Sequence, residues 1–279
     1  MSDHEAAMAA LAAAAALSDR DVDLAETALA LASFDRPGVA LDRYRDHLAV
    51  MTRDVADRFA AAGTADTLEG RIASIDAVLY GQEGYRGDEA TYDDLQNANL
   101  MRVIDRRRGL PVALGILFIQ CGRNQGWDVE GIAFPGHFLV RLDREGERAI
   151  VDPFAEGKIC AAADLRTLIK AAAGSEAELA PEYFERVSNI DILLRLQNNL
   201  KIRNIRMGEL EKAGHVVERM TTLAPMRAEL WRDSAMIQLR LENLQRAAEA
   251  LERHIALETR DSYKHQSARI LQDVKNRLN

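Results

Sequence analysis

Apolar residues recur at helical spacing through the first third of the chain. Residues 4–17 are almost wholly Ala and Leu, a helix of high intrinsic propensity stopped at Ser18-Asp19. Asp21 to Ser33 predicts a second helix, with Leu24, Leu29 and Leu31 available for burial and Pro37-Gly38 as the break. Leu41 to Ala62 predicts a long third helix, because Tyr44, Leu48, Met51, Val55 and Phe59 fall on one stripe. Thr67 to Tyr80 makes a fourth, followed by a Gly-rich loop over 81–91, and Leu95 to Arg107 a fifth. The helix entered through Pro111, a residue whose missing N–H costs nothing at that position, is apolar on every side from Val112 to Ile119 and is therefore a buried one. Gly115 within it admits close approach to its backbone.

The period then shortens. Val129–Phe134, His137–Leu142 and Glu147–Asp152 predict three strands, the last two joined by Asp143-Arg144-Glu145-Gly146. A symmetric four-residue connection makes cross-strand partners sum to 289, which sets His137 opposite Asp152 on one face. Beyond a helix at Asp164–Ala173 the chain returns to helical pairs. Ala213 and Ala247 stand 34 residues apart, as do Val217 and Leu251, while Pro225 and Trp231 fall at a repeat boundary and the next repeat's tryptophan position. This predicts tetratricopeptide-like repeats over about 194–227 and 228–261, capped by Tyr263 to Leu278. Two repeats need a surface to pack against, so they are expected to lean on the central block.

The expected organisation is a helical N-terminal subdomain over 1–90, a central core over 91–188 and repeats over 189–279. A net charge of −8 over 279 residues disfavours nucleic acid and anionic membranes as partners. The dense basic run Arg106-Arg107-Arg108 reads as a solvated helix face, with an anion or partner contact as the alternative. Two cysteines, Cys121 and Cys160, give neither a metal spacing nor a disulfide framework, which fits a reducing compartment. The apolar stretch at the N-terminus is preceded by Asp3, His4 and Glu5, unlike a signal peptide, and the expectation is a soluble cytoplasmic protein. His4 and His47 read as surface or helix-face residues rather than ligands.

A helix start, a strand-borne His and an Asp on the paired strand are the parts of a Cys-His-Asp site, in which a helix dipole lowers a thiol pKa, His takes its proton and Asp orients the His. Three segments carry a resemblance: Arg107-Arg108-Gly109-Leu110-Pro111, Phe134-Pro135-Gly136-His137-Phe138 and Asp152-Pro153-Phe154, with Gly157. Together they resemble the SirB1 family, a bacterial branch of the transglutaminase-like superfamily often followed by tetratricopeptide repeats. The resemblance implies an α+β, mostly helical fold: a transglutaminase-like (papain-like) core with a small antiparallel sheet.

Catalytic members of that superfamily carry Gly-x-Cys where the helix begins; this chain has Gly109-Leu110-Pro111, with proline at the nucleophile's place. His137 and Asp152 match the other two positions and form a remnant dyad. Between Tyr92 and Ile159 there is no Ser or Thr, and Cys121 lies about 15 Å along the helix from Pro111. Cys121 therefore reads as structural, while Cys160, which follows the strand ending in Asp152, lies nearer the site but reads as structural before catalytic. A His–Asp pair across a hairpin also satisfies two half-buried polar groups without any further role. A metal site would need a third ligand from Glu156, Asp128 or Cys160, and neither metal nor cofactor is expected. Trp127 and Phe134 either line a cleft or belong to the core.

The expectation is a non-catalytic interaction or regulatory protein that binds protein or peptide partners. Its contact sites would be the repeat surface and a central cleft edged by Gly109, Pro111, Phe134, Pro135, Gly136 and Phe154. The alternative is a hydrolase or acyl-transferase acting on amide bonds, with His137 as base and Asp152 as its orienter.

Overall fold

The computed structural model describes residues 2–63 and 66–278. In chain order the N-terminal helices are α1 (Asp3–Ala15), α2 (Leu24–Ser33), α3 (Asp42–Ala61) and α4 (Leu68–Asp76). Strand β1 (Arg86–Gly87), helix α5 (Leu100–Arg106), strand β2 (Arg108–Gly109) and helix α6 (Pro111–Arg123) follow. The central sheet comprises β3 (Asp128–Ile132), β4 (Leu139–Arg144), β5 (Glu147–Asp152) and β6 (Lys158–Ile159), then comes α7 (Ala162–Ala173). The remaining helices are α8 (Asn189–Arg206), α9 (Leu210–Leu223), α10 (Ala228–Arg240), α11 (Leu244–Leu257) and α12 (Asp261–Leu278). The fold is thus mostly helical with one small antiparallel sheet, as its periodicities predict.

Two compact units divide the chain. One comprises residues 19–196. It is built on α6, in which Pro111 to Ile119, Cys121 and Gly122 are all buried, so the helix is wrapped on every side as its sequence requires. Helix α3 turns Tyr44, Leu48, Met51 and Val55 inward. The sheet runs β3-β4-β5-β6 with antiparallel pairing throughout. One face covers a cluster of Ile132, Phe134, Leu139, Ile150, Leu165 and Ile169. The other unit joins residues 1–18 to 197–279. Within it α1 packs on α9, and Ala235, Ala248, Ala250, Leu251 and Val274 form a small core. Trp231 donates its indole N–H to the Pro225 carbonyl at 2.8 Å, which explains the pairing of these two residues in the repeat pattern.

Four features depart from the sequence reading. The β4–β5 hairpin closes through Glu145-Gly146 alone: both have positive φ, 48° and 89°, the geometry of a two-residue turn that follows strand twist. Partners therefore sum to 291, with Arg144 opposite Glu147 and Val140 opposite Val151, not to 289. The loop expected over 81–91 contains β1, which pairs in parallel with β2, Arg86 to Arg108 and Gly87 to Gly109. The predicted fourth helix continues past α4 as a π-helix over Ala77–Gln82. The arginine run is not a solvated helix face. Arg106 pairs with Asp88, Arg107 is left-handed at the C-cap of α5 and lies over the Tyr85 ring, and Arg108 belongs to β2.

Candidate functional site

His137 sits in the loop that enters β4, and Asp152 is the last residue of β5. The register expected from a four-residue connection is wrong by two residues, an even slip that leaves each side chain on its own face. The pair therefore still meets: His137 Nε2 lies 2.9 Å from Asp152 Oδ1 and 3.0 Å from Oδ2. With Nε2 carrying the proton donated to the carboxylate, Nδ1 is left as the basic nitrogen, the arrangement a general base requires. Asp152 is 7% exposed and has further obligations. Its Oδ1 accepts the backbone N–H of Phe154 at 2.9 Å and of Ala155 at 3.3 Å, folding residues 152–157 into a tight loop. Glu156 and Gly157 close that loop at φ 55° and 79°.

Phe154 meets the His137 ring edge-on, with centroids 6.2 Å apart, and meets Tyr92 at 5.9 Å. Its ring rests on Gly87, where a Cβ would stand 2.7 Å from the aromatic carbons; only glycine leaves room there. Gly87 pairs with Gly109, so the short β1–β2 ladder sets the residue before Leu110-Pro111 beside the glycine on which Phe154 rests. The π-helix reaches the loop from below: the Tyr80 hydroxyl donates to the Pro153 carbonyl at 3.0 Å. Asp76, at the start of the π-helix, lies against Gly157, and its buried Oδ1 has no hydrogen-bond partner among the described residues. Burial pushes this carboxyl up to about 7. Phe138, next to His137, is seated between Gly115 of α6 and Gly131 of β3, with the Arg195 guanidinium 5.6 Å from its ring centroid.

The other residues singled out from the sequence are divided between site and core. Pro111 is buried at the first position of α6. Phe134, 1% exposed, packs against Tyr183 and Phe184 in the cluster that the sheet covers. Gly136 owes its place to α7: a Cβ there would stand 2.4 Å from that of Ala172. Trp127 packs edge-on against Phe59, with centroids 5.0 Å apart, and is core as well. His47 shares a 2.9 Å hydrogen bond with the Tyr85 hydroxyl, and burial lowers its pKa. Neither thiol is activated: burial pushes Cys121 up to about 12 and, with the Asp152 charge adding to it, Cys160 up to about 11. Among the described residues no cluster of three His, Cys, Asp or Glu could hold a metal ion, and no helix is long and apolar enough to cross a membrane.

Tyr80, Gly87 and Asp76 are neighbours of the dyad that the sequence reading did not find. For Asp76 a signal existed: it follows Ile72 by four residues and precedes Tyr80 by four, so a carboxylate stands on the buried stripe.

Residues 42–198 match the transglutaminase-like superfamily, and residues 200–279 match the tetratricopeptide repeat. A UPF0162 protein of Vibrio cholerae is 32% identical over 68% of this chain and 70% of its own length. Another from Xylella fastidiosa is 30% identical over 67% of this chain and 68% of its own. The mouse F-box only protein 21 is 33% identical over 83 residues, 30% of this chain and 13% of that protein. Among solved structures menin covers 96% of the chain and 68% of its own at 12% identity, with a TM-score of 0.43, too loose a likeness to carry an argument. The chain belongs to the transglutaminase-like superfamily, as one of its UPF0162 proteins, and carries tetratricopeptide repeats at 200–279.

Proposed function

We propose that this protein is a non-catalytic interaction protein of the SirB1 type, in which a transglutaminase-like core without a nucleophile presents a cleft at His137 and Asp152 and the repeats present a second surface to protein or peptide partners. One observation carries the reading. The start of α6, where the superfamily's thiol belongs, is occupied by buried Pro111, while both thiols of the chain are held far above neutral pH. Proline supplies neither a nucleophile nor an N–H. Repeat helices of this kind present concave surfaces to peptides, and the net charge of −8 argues against nucleic acid as the partner. Two unpaired cysteines fit a cytoplasmic setting.

The substitution Pro111→Cys tests the assignment. On this reading a thiol restored at the helix start faces the His137 imidazole, and it is expected to label rapidly at pH 6 in a way that His137→Ala abolishes. Labelling no faster than an ordinary thiol would show that α6 does not begin at a vestigial nucleophile position, and the reading would fall.

The free Nδ1 favours one second reading, an amide hydrolase or acyl-transferase that uses His137 as base on water and Asp152 as its orienter. Turnover of a glutamine-containing peptide by the wild type, abolished in His137→Ala with folding intact, would establish it. We expect no turnover in either protein.

A further inference from the structure

Phe154 also walls a cavity of about 770 Å³ whose charged lining comes from Arg86, Arg106, Arg108, Asp88, Glu89 and Glu156. The formal charges cancel, but the hydrogen-bonding capacity does not. Asp88 is 7% exposed and has both oxygens occupied. Oδ1 accepts the Thr91 N–H at 3.0 Å; Oδ2 accepts the Thr91 hydroxyl at 2.7 Å and Arg106 Nη2 at 3.1 Å. Glu156 Oε1 takes Arg86 Nε at 3.0 Å. The remaining acceptors, on Glu89 and Glu156, belong to exposed residues and stay hydrated.

The arginines keep donors in reserve. Arg86 directs Nη1 to the carbonyls of Tyr80 and Tyr85, 2.7 Å each, and its Nη2 has no partner among the described residues. Arg106 directs Nη1 to Asn97 Oδ1 at 2.9 Å and leaves Nε unused. Arg108, exposed on β2, makes no hydrogen bond or ion pair with any described residue. Two guanidiniums are thus fixed in place and a third is free. A planar monoanion matches the fork of a guanidinium and adds one negative charge to a balanced site. A phosphate dianion would need a net positive potential that three carboxylates cancel.

We propose that this cavity binds a carboxylate carried on a peptide, either a chain terminus or an acidic side chain. Phe154, Ala90 and Ala155 give the rest of the peptide a neutral wall. The inference rests on the reading of this protein as a binding module and names the ligand chemistry of its core.

The test is calorimetry on the full chain with three N-acetylated penta-alanine probes: one with a free C-terminus, one amidated, and one amidated with a central Glu. Binding of either carboxylate probe with none of the plain amide is expected, and which of the two binds identifies the source of the carboxylate. Arg108→Gln, a substitution on an exposed side chain, should weaken that binding about tenfold, the loss of one charge-assisted pair, with an unchanged urea midpoint. Equal binding of the plain amide, indifference to Arg108→Gln, or tighter binding of inorganic phosphate at the same site would each overturn the proposal. Turnover dependent on His137 would remove the interaction reading while leaving this result standing. Loss of carboxylate binding would remove only the cavity's role.

Discussion

Gly115→Ala probes the packing that supports the candidate site. A methyl at position 115 would stand 2.3 Å from Phe138 Cε1 and 2.6 Å from Cδ1, more than 1 Å inside ordinary contact. On its other side the ring lies against Gly131, where a Cβ would stand 2.9 Å from Cζ, so β3 leaves it little room to retreat. Overpacking of a filled core costs ~1–3 kcal/mol, and a ring confined on two sides belongs at the upper end. Alanine in a helix interior returns about 1 kcal/mol relative to glycine. The net destabilisation is therefore about 2 kcal/mol. Urea unfolding measures it, followed by Trp127 fluorescence in a Trp231→Phe background so that the signal reports residues 19–196 alone. In a Phe138→Val background the colliding atoms are gone, and Gly115→Ala should become neutral or stabilising by up to ~1 kcal/mol. If its cost is the same in both backgrounds, Phe138 is not what forbids a side chain at 115, and the reasoning fails.

Three further outcomes follow from the site. Asp76 has its carboxyl raised to about 7 in the folded chain against 3.8 in the unfolded one. The folded state therefore holds the proton more tightly, and stability falls as pH rises between these values and levels off above the folded one. The loss is up to about 4 kcal/mol, and Asp76→Asn should flatten the urea midpoint between pH 4 and pH 8; a slope that survives the substitution assigns it elsewhere. Asp152→Ala removes the acceptor for two backbone amides and His137, and should cost on the order of 2–3 kcal/mol in the same assay, whereas a neutral result would mean that the 152–157 loop holds itself. Cys121 and Cys160, held at about 12 and about 11, should label slowly at pH 8 with no dependence on His137; fast labelling that His137→Ala abolishes would return the enzyme reading to the front.

Much of this arrangement was legible in the sequence because the strongest signals are periodic. Helix α6 announces its burial by having no polar face, and α3 its stripe by regular spacing. The contact between His137 and Asp152 follows from the sequence even in a mistaken register, since an even slip preserves faces and a four-residue connection conceals the two-residue turn at Glu145-Gly146. What escaped was made by tertiary contact. Two-residue strands such as β1 and β2 leave no alternation to read. Phe134 reads equally well as cleft or core until the sheet and α7 are in place. The π-helix over 77–82 has no composition of its own, and only the burial of Val78, Leu79 and Tyr80 draws the chain into that wider turn.

Asp152 serves two masters, the imidazole and its own loop, and this bears on how such a protein changes over generations. A residue kept only for chemistry is free to drift once the chemistry lapses. A carboxylate that also holds the amides of Phe154 and Ala155 is not, because its loss unfastens their loop whether or not any reaction occurs. The presence of Asp152 is then no evidence of a reaction, because the loop by itself requires an acceptor there. A test of activity has therefore to begin at His137 and not at Asp152.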